Sequence, residues 1–329
     1  MFRSNGGQSP ANIERAHKVG SRCGTLAPAK LNLYLEVLGP RADGFHPLET
    51  LMVPVRIYDQ LFWQEGSPAA SQECLTLRVR SLLPEVSDTD QLLGDGSDNL
   101  VLRAARLLAK NAGIAPRGRF DLFKRIPVQA GMGGGSSDAA AALLLANVAW
   151  RIGYSRRQLL PLAAQLGSDV PFFLSQGAAL CRGRGELIEP VTRLPRLHFV
   201  IVKPTAGLST AEVFGRLPQR AETGEARAKT SDERVSQLIG RLQSGDIAAA
   251  CQAMTNRLEI AATQLAPWLG RLRAILMRLG CLGYFMTGSG SAYVGVMHSA
   301  NQARYIARRL VNMNYRTGLN LESVFATSN

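Results

Sequence analysis

The chain has 329 residues, 46% hydrophobic and 19% charged, a balance that excludes an extended disordered chain and, at about 100 to 200 residues per domain, predicts two domains. No stretch approaches the ~18 uncharged apolar residues of a membrane helix, which excludes a membrane-spanning segment of that kind. The 38 Lys and Arg against 25 Asp and Glu leave a net charge of +13; scattered through every segment and not interleaved with aromatics, these residues suit phosphate-bearing small ligands better than a nucleic-acid platform.

Residues 1–24 are polar and mildly basic, without the apolar core of a secretory signal, and read as a floppy tail or an over-long start. The alternation of Leu31, Leu33, Leu35 and Val37 with Lys30, Asn32, Tyr34 and Glu36 predicts a half-buried strand that puts Lys30 and Asn32 on one face. GPRADGFHP at 39–47 is dense in turn residues, and the apolar run 48–57 after it completes a hairpin-like pair. Residues 74–80 read as a strand. Asp98 is expected to cap a helix over LVLRAARLLAK that stops near Gly113, and FDLFKRI is a strand leading into a glycine-rich stretch. A helix over SDAAAALLLANVAWRI follows, then one from Arg156 to Leu166 ended by Gly167. LHFVIVKP is a buried strand, residues 219–233 form a polar stretch of unassigned role, YFMTGSGSAYVGVM holds two strands around a glycine turn, and NQARYIARRLVNM is a final helix. The texture changes near residue 191, which divides the chain into domains of 25–191 and 192–329. Strands and helices mix without a regular βαβ repeat, so the class is α+β.

The five cysteines (Cys23, Cys74, Cys181, Cys251, Cys281) are widely spaced with no CxxC, and the four histidines (His17, His46, His198, His298) are dispersed. Neither a disulfide framework nor a zinc site is indicated, and a reducing cytoplasm fits.

The strongest chemical signal is the run Pro127, Val128, Gln129, Ala130, Gly131, Met132, Gly133, Gly134, Gly135, Ser136 and Ser137, opening into an Ala-rich helix. Consecutive glycines let backbone approach a ligand, and the free N–H groups of a helix start attract an anion. Ser136 stands where a Walker A loop needs Lys and where a dinucleotide fingerprint needs Gly, so neither standard nucleotide loop fits. A branched side chain at Gly134 is expected to stand where the amides face phosphates. Asp169, in LGSDVPFFL, reads either as an N-cap of a short helix at 170–174 or as a catalytic base. Phe45 with His46 is a base-stacking platform or a packed loop corner. Gly288-Ser289-Gly290-Ser291 is a tight turn whose glycines also admit a phosphate.

Taken in order, PAKLNLYLEV at 28–37, IPVQAGMGGGSSDAAAAL at 126–143 and MTGSGSAYVGV at 286–296 resemble the three motifs of the GHMP kinase superfamily. The additional RADGFHPLET at 41–50 and LGSDVPFFL at 166–174 resemble the branch that acts on a cytidine diphosphate-linked methylerythritol. This resemblance covers residues 25–329 and implies a ribosomal protein S5 domain 2-like N-terminal domain, a ferredoxin-like C-terminal domain and an active site in the cleft between them. It also implies ATP and Mg²⁺ as cofactors, a small-molecule acceptor, a cytoplasmic location, and no nucleic-acid or membrane partner. By position it makes Asp169 the catalytic base and Lys30 its partner, 127–137 the ATP phosphate loop, Phe45, His46 and Phe214 the cytosine site, and Asn32 a contact to the methylerythritol. Ser136 or Ser137 offers Mg²⁺ a contact, since hard oxygen ligands suit that ion. Met132, where Leu is commoner in the family, conserves volume and is expected to be silent.

Overall fold

The computed structural model describes residues 17–19, 22–39, 47–65, 75–83, 96–175, 177–217 and 224–329, the side chains of 17–19 and 224–229 aside. Most of the tail, residues 40–46 with Phe45 and His46, and 218–223 of the polar stretch therefore lie outside the described residues. Order begins earlier than the sequence pattern suggests. Strand β1 (His17–Val19) pairs with the start of β2 (Arg22–Val37), because the inward alternation of Cys23, Thr25 and Ala27 already belongs to the strand.

β2 runs antiparallel to β3 (Leu48–Gln64), which extends well past residue 57. Its inward positions 57, 59, 61 and 63 keep the alternation, but an aspartate at 59 hides it from a hydrophobic reading. β4 (Leu75–Ser81) lies parallel to β5 (Gly118–Lys124), which pairs with the end of β3. Helices α1 (Leu100–Ala112), α2 (Gly134–Ala149), α3 (Arg156–Leu166) and α4 (Val170–Leu174) pack on this sheet around Phe120, Leu145 and Phe172. The cap of α1 is Asn99, whose Oδ1 accepts from Val101 N at 2.9 Å, rather than Asp98. The end at Gly113, in the left-handed region, is as expected, as are both ends of α3. β6 (Ala179–Gly183) and β7 (Leu187–Pro190) branch off β3, giving the sheet order β1-β2-β3-β5-β4 along its main path.

The chain then passes to a second sheet. β8 (His198–Pro204) is followed by α5 (Thr210–Gly215), α6 (Gly224–Gln243), α7 (Ile247–Ala253), the two-residue β9 (Thr255–Asn256), α8 (Leu258–Leu265) and α9 (Trp268–Arg278). β10 (Gly283–Met286), β11 (Tyr293–Met297), α10 (Ala300–Thr317) and β12 (Leu321–Ser328) complete it. The strand β12 after the last helix is absent from the sequence reading. The antiparallel order β10-β11-β8-β12 is ferredoxin-like. One apolar cluster holds Leu31 and Val53 of the first sheet with Phe199 and Val294 of the second, so the two sheets share a core. β9 also returns to the first sheet and pairs parallel with Tyr34 and Leu35 of β2.

Asn256 of β9 fixes the loop after β10. Its Nδ2 donates to Met286 O at 2.6 Å and Gly288 O at 2.7 Å, while its Oδ1 accepts from Leu258 N at 2.9 Å. Replacing it by Ala leaves buried carbonyls and an amide unsatisfied, at about 1 to 3 kcal/mol for each such group. Urea denaturation of Asn256→Ala is expected to show a loss of that size, and an unchanged midpoint contradicts the role given to this side chain.

Candidate active site

The face of β2 that reads as solvated in the sequence is buried: Lys30 is 3% exposed and Asn32 2%. They lie in a stretch bounded by two shifts of the strand register, between Pro28 and Ala29 and between Asn32 and Tyr34. Bulges of this kind re-aim side chains. A buried ammonium requires partners. Lys30 Nζ donates to Asn32 Oδ1 at 2.6 Å and lies 3.3 Å from Asp169 Oδ2. Asn32 is oriented in turn: its Nδ2 donates to Thr50 Oγ1 at 2.8 Å, Thr50 Oγ1 donates to Tyr34 O at 2.7 Å, and Asn32 N donates to Thr287 Oγ1 at 3.1 Å.

Asp169 stands at the N-cap position of α4 but its side chain makes no cap hydrogen bond. The carboxylate turns to Lys30 instead and stays 33% exposed, available to a ligand. Asp169 is therefore the N-cap by position, as the sequence suggests, but its side chain is left for the cleft. The nearby Cys181 thiol is pushed up to about 12, by burial first and then by the negative charge of Asp169, so it holds its proton at neutral pH.

The glycine-rich loop meets this pair from the other side. Lys30 N donates to Met132 O at 3.0 Å, and α2 begins at Gly134, three residues before the sequence reading, with Gly133 as its N-cap. Gly131 and Gly133 have φ of +71° and +70°, a left-handed conformation that favours glycine. Space is equally limiting. A Cβ on Gly131 would lie 2.0 Å from Thr287 O, and one on Gly133 3.0 Å from Lys30 Cγ and from Phe173 Cζ. A Cβ on Gly134 would meet Ile126 Cγ2 at 3.0 Å and Lys124 Nζ at 3.2 Å, so a side chain there strikes the protein's own interior rather than a bound phosphate. The glycines of the 288–291 turn serve the same packing: a Cβ on Gly288 would stand 2.7 Å from Gly131 O, and Ser291 N and Ala292 N donate to Gln129 O and Ala130 O. That turn backs the loop.

Behind the loop lies a charged cluster that no sequence motif joins. Lys124 Nζ donates to Asp138 Oδ2 at 2.6 Å and to Asp59 Oδ2, and Asp59 Oδ1 accepts from Arg125 N at 2.5 Å and Ile126 N at 2.8 Å. Burial disfavours the charge on Lys124, but Asp138 and Asp59 outweigh it and hold the ammonium protonated. Burial raises the Asp138 carboxyl above its ordinary range, and the Lys124 charge opposes that rise.

A cleft of about 600 Å³ gathers Lys30, Asn32, residues 127–136, Asp169 and Phe214 of α5. Ser137 is excluded from its wall and fully buried. A second cavity of about 550 Å³, lined by residues 96–100 among others, shares Lys124, Val128 and Gly135 with the first. Both volumes suit small ligands. Thr50, Thr287, Asn256 and Lys124 are the residues sequence reasoning missed; each acts through a partner far away in the chain, and only Lys124, at the end of a strand opening into glycines, carried any local cue.

Residues 99–177 match the GHMP kinases N terminal domain family and residues 238–316 the GHMP kinases C terminal family. A 4-diphosphocytidyl-2-C-methyl-D-erythritol kinase of Pelotomaculum thermopropionicum is 40% identical over 86% of this chain and 92% of its own length. The chain belongs to the GHMP kinases, in the family of the 4-diphosphocytidyl-2-C-methyl-D-erythritol kinases. A crystal structure of a 4-(cytidine 5'-diphospho)-2C-methyl-D-erythritol kinase superposes with a TM-score of 0.71 at 32% identity, covering 93% of this chain and 98% of the other. A homoserine kinase from Cytophaga hutchinsonii superposes equally well, TM-score 0.71, covering 94% of this chain and 95% of its own, but at 18% identity. The fold alone therefore does not separate acceptors within the GHMP kinases; sequence identity does. As a GHMP kinase the chain uses ATP as phosphate donor and a small molecule as acceptor. No helix among the described residues is long and apolar enough to cross a membrane.

Because Gly131 is hemmed in by Thr287, Gly131→Ala is expected to lower the melting temperature and to weaken binding of a non-hydrolysable ATP analogue at least tenfold in calorimetric titration. An alanine variant with wild-type stability and affinity contradicts the backbone-to-backbone packing of the two loops.

Proposed function

We propose that the chain phosphorylates the 2-hydroxyl of 4-diphosphocytidyl-2-C-methyl-D-erythritol with ATP, a step in the non-mevalonate supply of isoprenoid precursors, in a cleft between domains of residues 25–191 and 192–329. The observation that carries the phosphoryl-transfer half of this reading is the Lys30–Asp169 contact, set in one cleft with the glycine loop. The acceptor follows from the relatives' names and from the RADGFHPLET segment.

Residues 127–137 hold the ATP phosphates: the α2 N-terminus supplies free N–H groups, and glycine leaves them uncovered. Lys30 and Asp169 line only the first cavity, so the acceptor lies on that side and the nucleoside of ATP lies in the second, across the shared wall of Lys124, Val128 and Gly135. The residues present also fit Mg²⁺. Ser136 lines the cleft, and hydroxyl oxygen is a hard ligand of the kind Mg²⁺ takes alongside phosphate and water. Ser136 would hold the ion, which when bound neutralises phosphate charge.

Phosphoryl transfer asks mainly for positioning and for positive charge around the transferred group. A tertiary hydroxyl is a poor nucleophile. Asp169 Oδ accepts its proton as the bond to phosphorus forms, Lys30 orients the carboxylate and lends its charge to the transferring group, and Asn32 holds the Lys30 ammonium in place while facing the methylerythritol. Phe214 of α5 stacks on the cytosine from the far wall. Phe45 and His46 complete that site from the RADGFH segment. Both substrates are water-borne polyphosphates, which suits a cytoplasmic enzyme whose net positive charge steers anions into the cleft.

Asp169→Asn is expected to keep its fold and ATP affinity while kcat falls by roughly 10² to 10⁴, the span for loss of a general base. Lys30→Met should lose as much and the double variant far less than the product, because the pair acts as a unit; near-normal turnover, or multiplicative losses, overturns the assignment. For the far wall, stacking worth about 1 to 3 kcal/mol predicts that Phe214→Ala raises KM for the cytidylylated substrate roughly ten- to a hundredfold with ATP binding untouched. Steady-state kinetics beside a melting curve decides this: a stable variant with unaltered KM removes Phe214 from the substrate site.

A further inference from the structure

A loop that presents N–H groups to phosphate has to be held open by something other than itself. Residues 127–137 contain four glycines, the residue type that loses most conformational freedom on ordering. Its two ends reach the same buried cluster. At the upstream end, Asp59 Oδ1 accepts from the backbone N–H of Arg125 and of Ile126, at 2.5 and 2.8 Å. At the downstream end, Asp138 in the second turn of α2 accepts from Lys124 Nζ at 2.6 Å, and the same ammonium donates to Asp59 Oδ2. Asp59 is fully buried and Lys124 and Asp138 nearly so, which removes water as a competitor for these bonds. The bond path from Arg125 N through Asp59, Lys124 and Asp138 to α2 closes the loop across its mouth. Ile126 Cγ2 and Lys124 Nζ also occupy the space that a Cβ on Gly134 would take.

We propose that Asp59, Lys124 and Asp138 form a charged clamp that joins the two ends of the phosphate loop and holds it in its binding geometry before ATP arrives, making the three positioning residues for the nucleotide rather than for the acceptor. This rests on the reading of residues 127–137 as the ATP loop. None of the three touches Lys30 or Asp169 in the structure's hydrogen bonds and ion pairs, and Asp138 lines only the second cavity, whereas Lys124 lines both.

The alternative is that the cluster merely stabilises the first sheet. The charge-free triple variant Asp59→Asn, Lys124→Met, Asp138→Asn separates the two, because a buried ionic cluster replaced as a whole by neutral groups of similar shape often keeps its stability, whereas one charge left alone does not. Titration with a non-hydrolysable ATP analogue should show affinity at least tenfold weaker in the triple variant and at least threefold weaker in Asp138→Asn alone, while KM for the acceptor stays within twofold of wild type in Asp138→Asn, whose site lines only the second cavity. Wild-type protein that fails to bind the analogue refutes the reading of the loop. Wild-type binding matched by equal affinity in the variants, or equal losses for both substrates, refutes the clamp. Hydrogen exchange of the ligand-free wild type needs no variant: amides at 129–137 should exchange at least a hundredfold more slowly than unstructured chain, and free exchange there overturns the proposal even if neither variant folds.

Discussion

A positive charge held almost out of water is the feature around which this site is built. Lys30 lies on a strand buried on both faces, and desolvation of its ammonium is tolerated only because a carboxylate and an oriented amide oxygen converge on it. That requirement propagates outward. Asn32 must present its oxygen, so Thr50 and Thr287 hold its nitrogen atoms; Asp169 must reach Lys30, so α4 starts with a carboxylate that leaves its cap position unused. Lys30's own stem fills the space beside Gly133, which is one reason the loop has no side chain there.

The second constraint is the close approach of two loops from different sheets. Gly131 and Gly288 lie against each other's backbone, and the N–H groups of Ser291 and Ala292 bond to carbonyls of the phosphate loop. Glycine-rich motifs invite the reading that each glycine makes room for a ligand. Here most of the room goes to protein: Thr287, Phe173, Lys30 and Ile126 occupy the places of the missing Cβ atoms. Ligand recognition then falls to the amides that this packing leaves facing the cleft.

Much of this was legible in the sequence where a local rule decided it. The helix from Arg156 to Leu166 is bounded by a Ser155–Gln158 capping box and by Gly167, and both ends are where the sequence places them. The ordered strand β1, the continuation of β3 past Ile57 and the last strand β12 were not, because a charged residue at an inward position or a mixed polar pattern breaks the alternation that announces a strand. Polar alternation on β2 announced the wrong environment. It marks a solvated face in most strands, and here it marks a wall of the cleft, because the glycine loop, Thr50, Thr287 and Asp169 close over Lys30 and Asn32. The Asp59, Lys124 and Asp138 cluster was beyond sequence reading altogether: its members are 65 and 14 residues apart, and nothing but the fold brings them together.

The fold is shared equally with a homoserine kinase, so the central claim is the identity of the acceptor. The most direct measurement is ADP release by the purified protein with ATP, Mg²⁺ and one acceptor at a time: 4-diphosphocytidyl-2-C-methyl-D-erythritol, the same polyol phosphate without its cytidylyl group, homoserine and mevalonate. The account predicts turnover with the first alone, and a product whose new phosphate, located by phosphorus NMR, is on the 2-hydroxyl. Efficient ADP release with homoserine, with mevalonate or with the uncytidylylated phosphate contradicts it.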